Sequence, residues 1–370
     1  MTGFPARKSD LTLDSSGPGL SCDEIVRELY SGLLGRPADA GGFQFYLAAM
    51  RDGVPLSDII RQFVKSDEFQ SHNSSSVFPV PVLPDLTELF SDKYIRKAPD
   101  SAIFVASSDD DIALMESLIT KYRYYESFGV WTPRIDLDKQ VTAAVIQGLG
   151  ARNCLELGCF SGAVLSVLCE KGLDVCGLEV SHLAFLLAHP NIHEKIRFGN
   201  LLDLNFDTMY DSVLCMDVLE HVNPISLKNY IRRISRLLKQ DGFAYVNSPM
   251  FGPDDIFGTV FEAYLPEWQE AGPDEFWRHM HCDAKGWPMH GHLVWASPLW
   301  WERAFLEHGL IRDRDIERVL HHLLHGFFEK FAPARRCFFV LRHPEFSPDL
   351  DAVTGSLASA VTPFLGDATA

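Results

Sequence analysis

The 370-residue sequence has no long hydrophobic run. No stretch of about 18 consecutive apolar residues is present, so a membrane-spanning helix is not expected. The first 20 residues contain no apolar core of the kind that a secretory signal needs. We therefore expect a soluble, cytoplasmic protein without a transmembrane segment.

Positive charge is also scarce. The chain has 33 basic and 50 acidic residues, and its formal net charge of −17 disfavours attraction to phosphate backbones. Nucleic acid is therefore not an expected partner. The eight cysteines include no Cys-x-x-Cys pair, and several lie in apolar patterns, which indicates buried, reduced thiols. A hydrophobic content of 46% is enough for packed cores in a chain of this length.

The N-terminal region changes character near Ser21. Residues 1–20 are rich in Ser, Gly and Pro and are expected to form a flexible leader, whereas apolar residues recur at helical spacing over 21–72. The second segment carries an ordered pattern: Leu29-Tyr30, Leu34-Gly35-Arg36, Asp39, Gly41, Tyr46 and Ser66-Asp67-Glu68-Phe69. This pattern resembles a small helical repeat domain of unknown function in bacterial surface-associated and glycan-related proteins. The resemblance implies a small all-α domain, with no assigned chemistry or partner.

A Ser- and Pro-rich segment comes next. We predict an extended linker over 73–100, because each proline disfavours helix at the residue before it. Beyond it, strand-like runs alternate with helical patterns, which favours an α/β fold with a doubly wound, Rossmann-like sheet. We assign this domain to 101–345, with its core at 150–250, and expect a frayed tail at 346–370.

The segment 153–162 (NCLELGCFSG) has the character of a ligand-binding turn. Glu156 ends a buried strand, and two glycines, Gly158 and Gly162, precede a helix. Glycine lets the backbone approach a ligand closely because it has no Cβ. The dinucleotide pattern Gly-x-Gly-x-x-Gly is not met, since Phe160 occupies the middle position, and this opposes an NAD-linked enzyme.

Two further segments extend the pattern. Residues 174–181 (DVCGLEVS) end a strand in Glu179, 21 residues after Gly158, where a carboxylate can accept both hydroxyls of a ribose. Residues 197–204 (RFGNLLDL) form a turn after the next strand and carry Asn200.

The segment 210–222 (YDSVLCMDVLEHV) ends at the carboxyl edge of the sheet, where open α/β folds bind ligands. Together the segments resemble the ordered motifs of class I S-adenosylmethionine (SAM)-dependent methyltransferases of the small-molecule type. Phe160 stands where these enzymes commonly have glycine. Asn200 stands where they commonly have an aspartate that meets the adenine amine, and the resemblance implies that the amide oxygen accepts this bond. The resemblance implies SAM as cofactor and a set of cofactor contacts: Glu156, Gly158, Phe160, Gly162, Glu179, Val180, Asn200, Leu201 and Asp217.

Asp217 and His221 are the catalytic candidates. An imidazole can take a proton from a hydroxyl near neutral pH while SAM supplies the methyl group. His221 could equally be a structural hydrogen-bond partner. Asp217 could orient the cofactor or the acceptor, or it could serve as a helix N-cap.

An insertion at 250–292 is rich in tryptophan and histidine and is expected to cover the acceptor pocket. Aromatic side chains with polar edges suit stacking on a sugar or a planar ring. Several residues have ligand-like composition but no recognised metal-site spacing: His279, His281, Cys282, His290 and His292. We therefore expect a structural lid with hydrogen-bonded histidines, and no metal.

The combined pattern predicts methyl transfer from SAM to a hydroxyl or amine of a small-molecule or saccharide acceptor, with polysaccharide biosynthesis as the expected context. The alternative is a degenerate methyltransferase fold that acts as a binding or assembly module. Glu179 favours the enzyme, because degenerate relatives usually lose this acid. The sequence does not identify the acceptor.

Overall fold

The computed structural model describes residues 21–34, 36–54, 82–127, 134–181, 187–262 and 276–364, with single positions at 56, 59, 62, 63, 66, 265 and 268. The chain divides into two units, Met1–Val80 and Pro81–Ala370. The predicted leader at 1–20 lies outside the described residues. Across the described residues, no helix combines the length and the apolar character needed to cross a membrane.

The described part of the first unit is helical, as the periodicity predicts. Helices α1 (Cys22–Leu34) and α2 (Ala40–Arg51) are joined by a turn in which the Asp39 side chain accepts the Gly42 backbone N–H at 2.8 Å. This bond satisfies one of the free N–H groups at the start of α2. A small core joins the two helices to the following segment: Val26, Tyr30, Ala49, Ile59 and Phe63.

The second unit alternates strands and helices. Its strands are β1 (Tyr94–Ala98), β2 (Ser101–Val105), β3 (Asn153–Leu157), β4 (Asp174–Glu179), β5 (Ile196–Phe198), β6 (Tyr210–Met216), β7 (Leu238–Asn247), β8 (His279–Asp283), β9 (Ile311–Arg312) and β10 (Phe338–Arg342). Its helices are α3 (Leu86–Leu89), α4 (Asp109–Lys121), α5 (Tyr124–Ser127), α6 (Leu137–Gly148), α7 (Ala163–Glu170), α8 (Pro224–Leu237), α9 (Pro298–Leu306), α10 (Arg314–Leu323), α11 (His325–Lys330) and α12 (Leu350–Val361).

Seven strands form one sheet in the order β5-β4-β3-β6-β7-β10-β9. The five strands from β3 to β7 are parallel, and β10 is antiparallel to both of its neighbours. The chain reverses its direction of travel across the sheet between β3 and β6, which is the place where open α/β sheets bind ligands. The predicted doubly wound α/β fold is confirmed.

Alternate residues of the central strands enter two different cores. Val213 and Cys215 of β6 pack into a core with α8 and α9, whereas Leu214 packs into a core with α6, α7 and α12. Side chains of a strand point alternately to its two faces, so helices cover both faces of the sheet. A separate antiparallel sheet, β1-β2-β8, includes part of the insertion.

The linker predicted at 73–100 needs correction from residue 82 onward. Residues 82–100 belong to the second unit, where they form α3 and β1. Leu86 is fully buried beside Trp287, and the Trp287 indole N–H donates to the Pro84 carbonyl at 2.9 Å. The prolines restrict the backbone locally, but they do not prevent this segment from packing.

The frayed tail predicted at 346–370 is also wrong for most of its length. Helix α12 occupies Leu350–Val361, and Asp349 caps it by accepting two backbone N–H groups at 3.1 Å. Leu357 and Val361 are fully buried in the core that also contains α6. A Cβ atom added at Gly148 of α6 would lie 2.9 Å from the Leu357 Cα, so the two helices approach closely.

Candidate active site

The turn between β3 and α7 depends on two glycines. Gly158 has φ +60°, and an added Cβ would lie 2.5 Å from Val218 Cγ2. Gly162 begins α7 with φ +68°, and an added Cβ would lie 2.3 Å from Ile192 Cδ1. Both positions therefore exclude a side chain by backbone conformation and by space. Phe160, between them, also has a positive φ of 50°.

Glu179 ties this turn to the end of β4. Its Oε2 accepts the Phe160 backbone N–H at 2.8 Å, and its Oε1 accepts those of Val180 and Ser181 at 2.8 and 2.7 Å. Burial raises the pKa of Glu179, while the three N–H donors counteract that rise. The carboxyl group is thus held inside the turn, and the next side chain, Val180, is 58% exposed.

Glu156 lies one residue before the end of β3 and has a buried side chain. Its Oε2 has no hydrogen-bond partner among the residues that the structure describes. Burial raises its pKa to about 8; nearby Glu179 adds to the rise, whereas Lys139 opposes it. Buried polar atoms are normally satisfied, so this oxygen indicates a position for a polar ligand group. The Glu156 oxygen therefore fits the ammonium group at the amino-acid end of SAM.

Asn200 and Leu201 lie in the turn after β5. The Asn200 amide donates to the Tyr230 hydroxyl, and its carbonyl oxygen accepts the Leu202 backbone N–H at 2.8 Å. An amide oxygen has two lone pairs, so one remains on Asn200 beyond the bond from Leu202. Leu201 is 2% exposed and part of the core, so only its backbone is free for a cofactor contact. Sequence reasoning missed Tyr230, which orients the amide.

Asp217, directly after β6, has φ 54° and pairs with Arg335. Arg335 also donates to Asn247 at 2.7 Å and to Asp138 at 3.0 Å. Burial opposes the charge on Arg335, but Asp217 and Asp138 outweigh it and raise the pKa of this arginine. Asp217 is not the N-cap of α8, because Asn223 takes that role. The Arg335 cluster was missed by sequence reasoning.

His221 ends a short 3-10 turn, Leu219–His221, beyond β6. Its Nδ1 lies 3.1 Å from the Gly291 carbonyl oxygen. A carbonyl only accepts, so Nδ1 carries the proton and Nε2 retains its lone pair in the neutral ring. Burial lowers the pKa of His221, which favours that neutral form. The ring contacts Tyr125 and His292, with centroids 5.1 and 4.9 Å away.

Aromatic rings in the insertion and just after it form a stacked series that reaches His292. Trp268 stacks on Phe251 at 5.5 Å and on Trp295 at 5.7 Å, and Trp295 lies 5.4 Å from His292. Of the histidines in the insertion, His292 lies beside His221. The other ligand-like residues of the insertion do not join them in a metal-binding group within the described part of the chain: His279, His281, Cys282 and His290.

Comparison with known proteins gives two domain matches. Residues 155–246 match a family described as a methyltransferase domain, and residues 8–73 match a domain of unknown function, DUF4214. The first match contains β3 to β7 almost entirely, including the turn with Glu156 and the 3-10 turn with His221. The matched region is therefore similar to methyltransferase domains of the class I type, a class whose cofactor is SAM.

Two curated relatives are ubiquinone biosynthesis O-methyltransferases. The protein from Nitrosomonas europaea is 29% identical over 144 residues, which is 36% of this chain and 59% of the relative. The protein from Glaesserella parasuis is 31% identical over 113 residues, 27% of this chain and 47% of the relative. The chain thus spans about half the length of these relatives.

Two solved structures are also similar. A 1,6-didemethyltoxoflavin N1-methyltransferase from Burkholderia thailandensis has a TM-score of 0.40 at 15% identity, covering 67% of this chain and 96% of its own. An amino pentose methyltransferase from Micromonospora echinaspora has a TM-score of 0.37 at 14% identity, covering 60% of this chain and 96% of its own.

Proposed function

We propose that this chain transfers a methyl group from SAM to a hydroxyl or amine of a small-molecule or saccharide acceptor. The turn between β3 and α7, with Glu156 before it and Glu179 bonded to it, is the observation that carries the proposal. When bound, SAM supplies a methyl group on a positively charged sulfur that an acceptor lone pair can attack. The names of the curated relatives support oxygen as the acceptor atom. A cytoplasmic setting and a role in polysaccharide biosynthesis belong to the same proposal.

On the cofactor side, the two glutamates have different tasks. A carboxylate offers about four lone-pair positions, and three of those on Glu179 already accept backbone N–H groups. One position remains, so Glu179 would accept one ribose hydroxyl directly rather than two. Glu156 would bind the amino-acid end through its unsatisfied oxygen. Asn200 would accept the adenine amine through its remaining lone pair.

On the acceptor side, the side chains around β6 would orient the substrate. The bonds from Arg335 hold the Asp217 carboxylate at the edge of the sheet. The free Nε2 lone pair of His221 would receive the proton of an acceptor hydroxyl. The partly exposed ring of Trp295, which stacks on the buried Trp268, supports a flat or saccharide acceptor, because such ligands pack on aromatic faces.

The direct test of the reaction is product mass. The purified chain is incubated with SAM and a panel of activated sugars, glycans and phenolic small molecules. We expect one acceptor class to gain the mass of a methyl group while SAM is converted to its demethylated product. If SAM binds but every acceptor stays unmodified, including a crude metabolite extract, the chain acts as a binding module.

The pKa of Glu156 gives a prediction for cofactor binding. In the free protein this carboxyl titrates near pH 8 and is mostly protonated at pH 6. Binding of a cationic group requires the ionised form, so SAM affinity should increase by roughly tenfold or more from pH 6 to pH 8. Glu156→Gln should bind SAM more weakly and show a much smaller pH dependence. If calorimetry shows that SAM affinity changes equally with pH in the unmodified chain and in Glu156→Gln, Glu156 is not part of the cofactor site.

The unit boundary gives a second prediction. Deletion of residues 1–80 should leave SAM affinity within about threefold, roughly 0.7 kcal/mol, because the second unit has its own cores. Deletion of residues 1–100 is the matched comparison. It removes Leu86 and β1 and should lower the unfolding temperature markedly. Loss of SAM binding in the shorter deletion would show that the first unit is needed for the site.

A further inference from the structure

Three side chains with metal-binding atoms converge next to Asp217. Glu220, His221 and His292 each offer one such atom, and these atoms all lie within 4.8 Å of one another. The Glu220 backbone carbonyl accepts the N–H groups of Leu293 and Val294 at 2.8 and 2.9 Å. Two segments that are distant in sequence are therefore bonded together at this point, and the cluster does not depend on flexible side chains alone.

The cluster contains buried atoms with unmet hydrogen-bonding capacity. Glu220 is 0% exposed; its Oε2 accepts the Ser248 hydroxyl at 3.1 Å, whereas its Oε1 has no partner in the described part of the chain. Nδ1 of His292 likewise has no hydrogen-bond partner in the described part of the chain. A bound cation would give both of these atoms a partner.

The hydrogen bond of His221 is also typical of a metal ligand. Metal-binding histidines usually donate their second ring N–H to a carbonyl or carboxylate, which orients the free nitrogen. His221 makes this bond to Gly291, and Nε2 is left available. A neutral imidazole with one unprotonated ring nitrogen is the form that binds metal ions.

We propose that Glu220, His221 and His292 bind one divalent transition-metal ion, and that this ion contacts the acceptor hydroxyl. The role toward the acceptor rests on the proposed methyltransferase function. Two imidazoles and one carboxylate favour ions such as Zn²⁺ or Co²⁺ over Mg²⁺ or Ca²⁺, which prefer oxygen ligands. Ligand atoms about 2.1 Å from such an ion lie roughly 3.4 Å apart, so small side-chain rotations would close the cluster around it.

Three protein ligands leave at least one position open, as in catalytic metal sites. An acceptor hydroxyl beside the ion would lose its proton to solvent more readily, because the ion stabilises the negative charge that forms on oxygen. The oxygen then bonds to the methyl carbon, and the bond from that carbon to sulfur breaks with its electron pair remaining on sulfur. With the ion bound, the Nε2 lone pair of His221 is a metal ligand, so solvent would take the acceptor proton in place of the histidine base described above.

The test is a titration of the full-length, chelator-treated chain with Co²⁺, followed by visible absorption and by metal content. We expect one Co²⁺ per chain, with affinity at least tenfold weaker in Glu220→Gln and in His292→Ala. Glu220→Gln keeps an oxygen for the Ser248 hydroxyl and preserves the shape of the side chain. His281→Ala, which changes a histidine of the same insertion outside the cluster, should bind Co²⁺ as the unmodified chain does.

SAM affinity measured on the same samples reports whether each variant is folded. Absence of Co²⁺ binding by the unmodified chain would overturn the metal site, as would equal affinity in Glu220→Gln and His292→Ala. Methyl transfer by a chain that binds no metal would overturn the metal site and leave the proposed function intact. Metal binding by a chain that does not bind SAM would support the site but contradict its role in methyl transfer.

Discussion

His221→Ala should lower turnover by on the order of 100-fold or more while SAM affinity stays within about threefold. The ring lies beyond the end of β6, beside Tyr125 and His292 rather than in the turn between β3 and α7. Its Nε2 lone pair either receives the acceptor proton or holds the proposed metal ion. Removal of this nitrogen therefore affects the acceptor and leaves the cofactor in place. The measurements are initial rates with the acceptor found by mass analysis, and calorimetry with SAM.

Two further variants separate chemistry from structure at this position. His221→Asn retains an N–H that can donate to the Gly291 carbonyl but has no basic nitrogen, so its turnover should be as low as that of His221→Ala. Tyr125→Phe removes the other donor to the same carbonyl, a 3.2 Å bond, and should keep turnover within about threefold. Near-normal turnover in His221→Asn would show that the hydrogen bond, and not the nitrogen lone pair, is what the site needs.

Glu179→Ala should weaken SAM binding by about 1.5–3 kcal/mol, the value of a hydrogen bond to a charged group. The variant loses the ribose acceptor and also leaves the backbone N–H groups of Phe160, Val180 and Ser181 without their partner. The turn between β3 and α7 should therefore become less ordered, and the unfolding temperature should fall. Calorimetry and thermal unfolding measure the two effects separately.

Asp174→Ala is the matched control, because Asp174 is an exposed acid at the opposite end of the same strand. It should bind SAM within about twofold of the unmodified chain, roughly 0.4 kcal/mol. Glu179→Gln should lie between the alanine variant and the unmodified chain, since one side-chain oxygen still accepts. A loss in Glu179→Ala smaller than about 0.5 kcal/mol would exclude Glu179 from the cofactor site.

The elements of the sheet could be predicted from the sequence because each depends on local patterns. Buried strands such as β3 and β4 are short apolar runs, and the acids that end them, Glu156 and Glu179, mark the carboxyl edge. The positive φ values of Gly158 and Gly162 are likewise what a glycine before a helix suggests. These features need no knowledge of distant contacts.

The contacts that complete the site could not be predicted in this way. Arg335 reaches Asp217 and Asp138, and His292 reaches His221, across separations that have no fixed spacing in sequence. Arg335 reaches the carboxyl edge because it lies just before β10, which is inserted between β7 and β9, whereas backbone bonds from Leu293 and Val294 to Glu220 bring His292 there. Only the assembled sheet brings these side chains to one edge.

Helix α12 was missed for a different reason. Its residues are mostly small, so the apolar periodicity is weak, and its segment has the composition of a frayed terminus. Small residues, however, permit the close approach between Gly148 and Leu357. Packing of this kind depends on a partner surface that the local sequence does not contain.

The most direct test of the account is calorimetric titration of the purified, folded chain with SAM. We expect one binding site for SAM with a dissociation constant in the micromolar range, a binding free energy of about −8 kcal/mol. This expectation rests on the turn between β3 and α7, the unsatisfied Glu156 oxygen and the position of Glu179. The demethylated product should compete for the same site. A folded chain that gives no heat with SAM at pH 8, and none with the demethylated product, would contradict the assignment of this turn as a cofactor site.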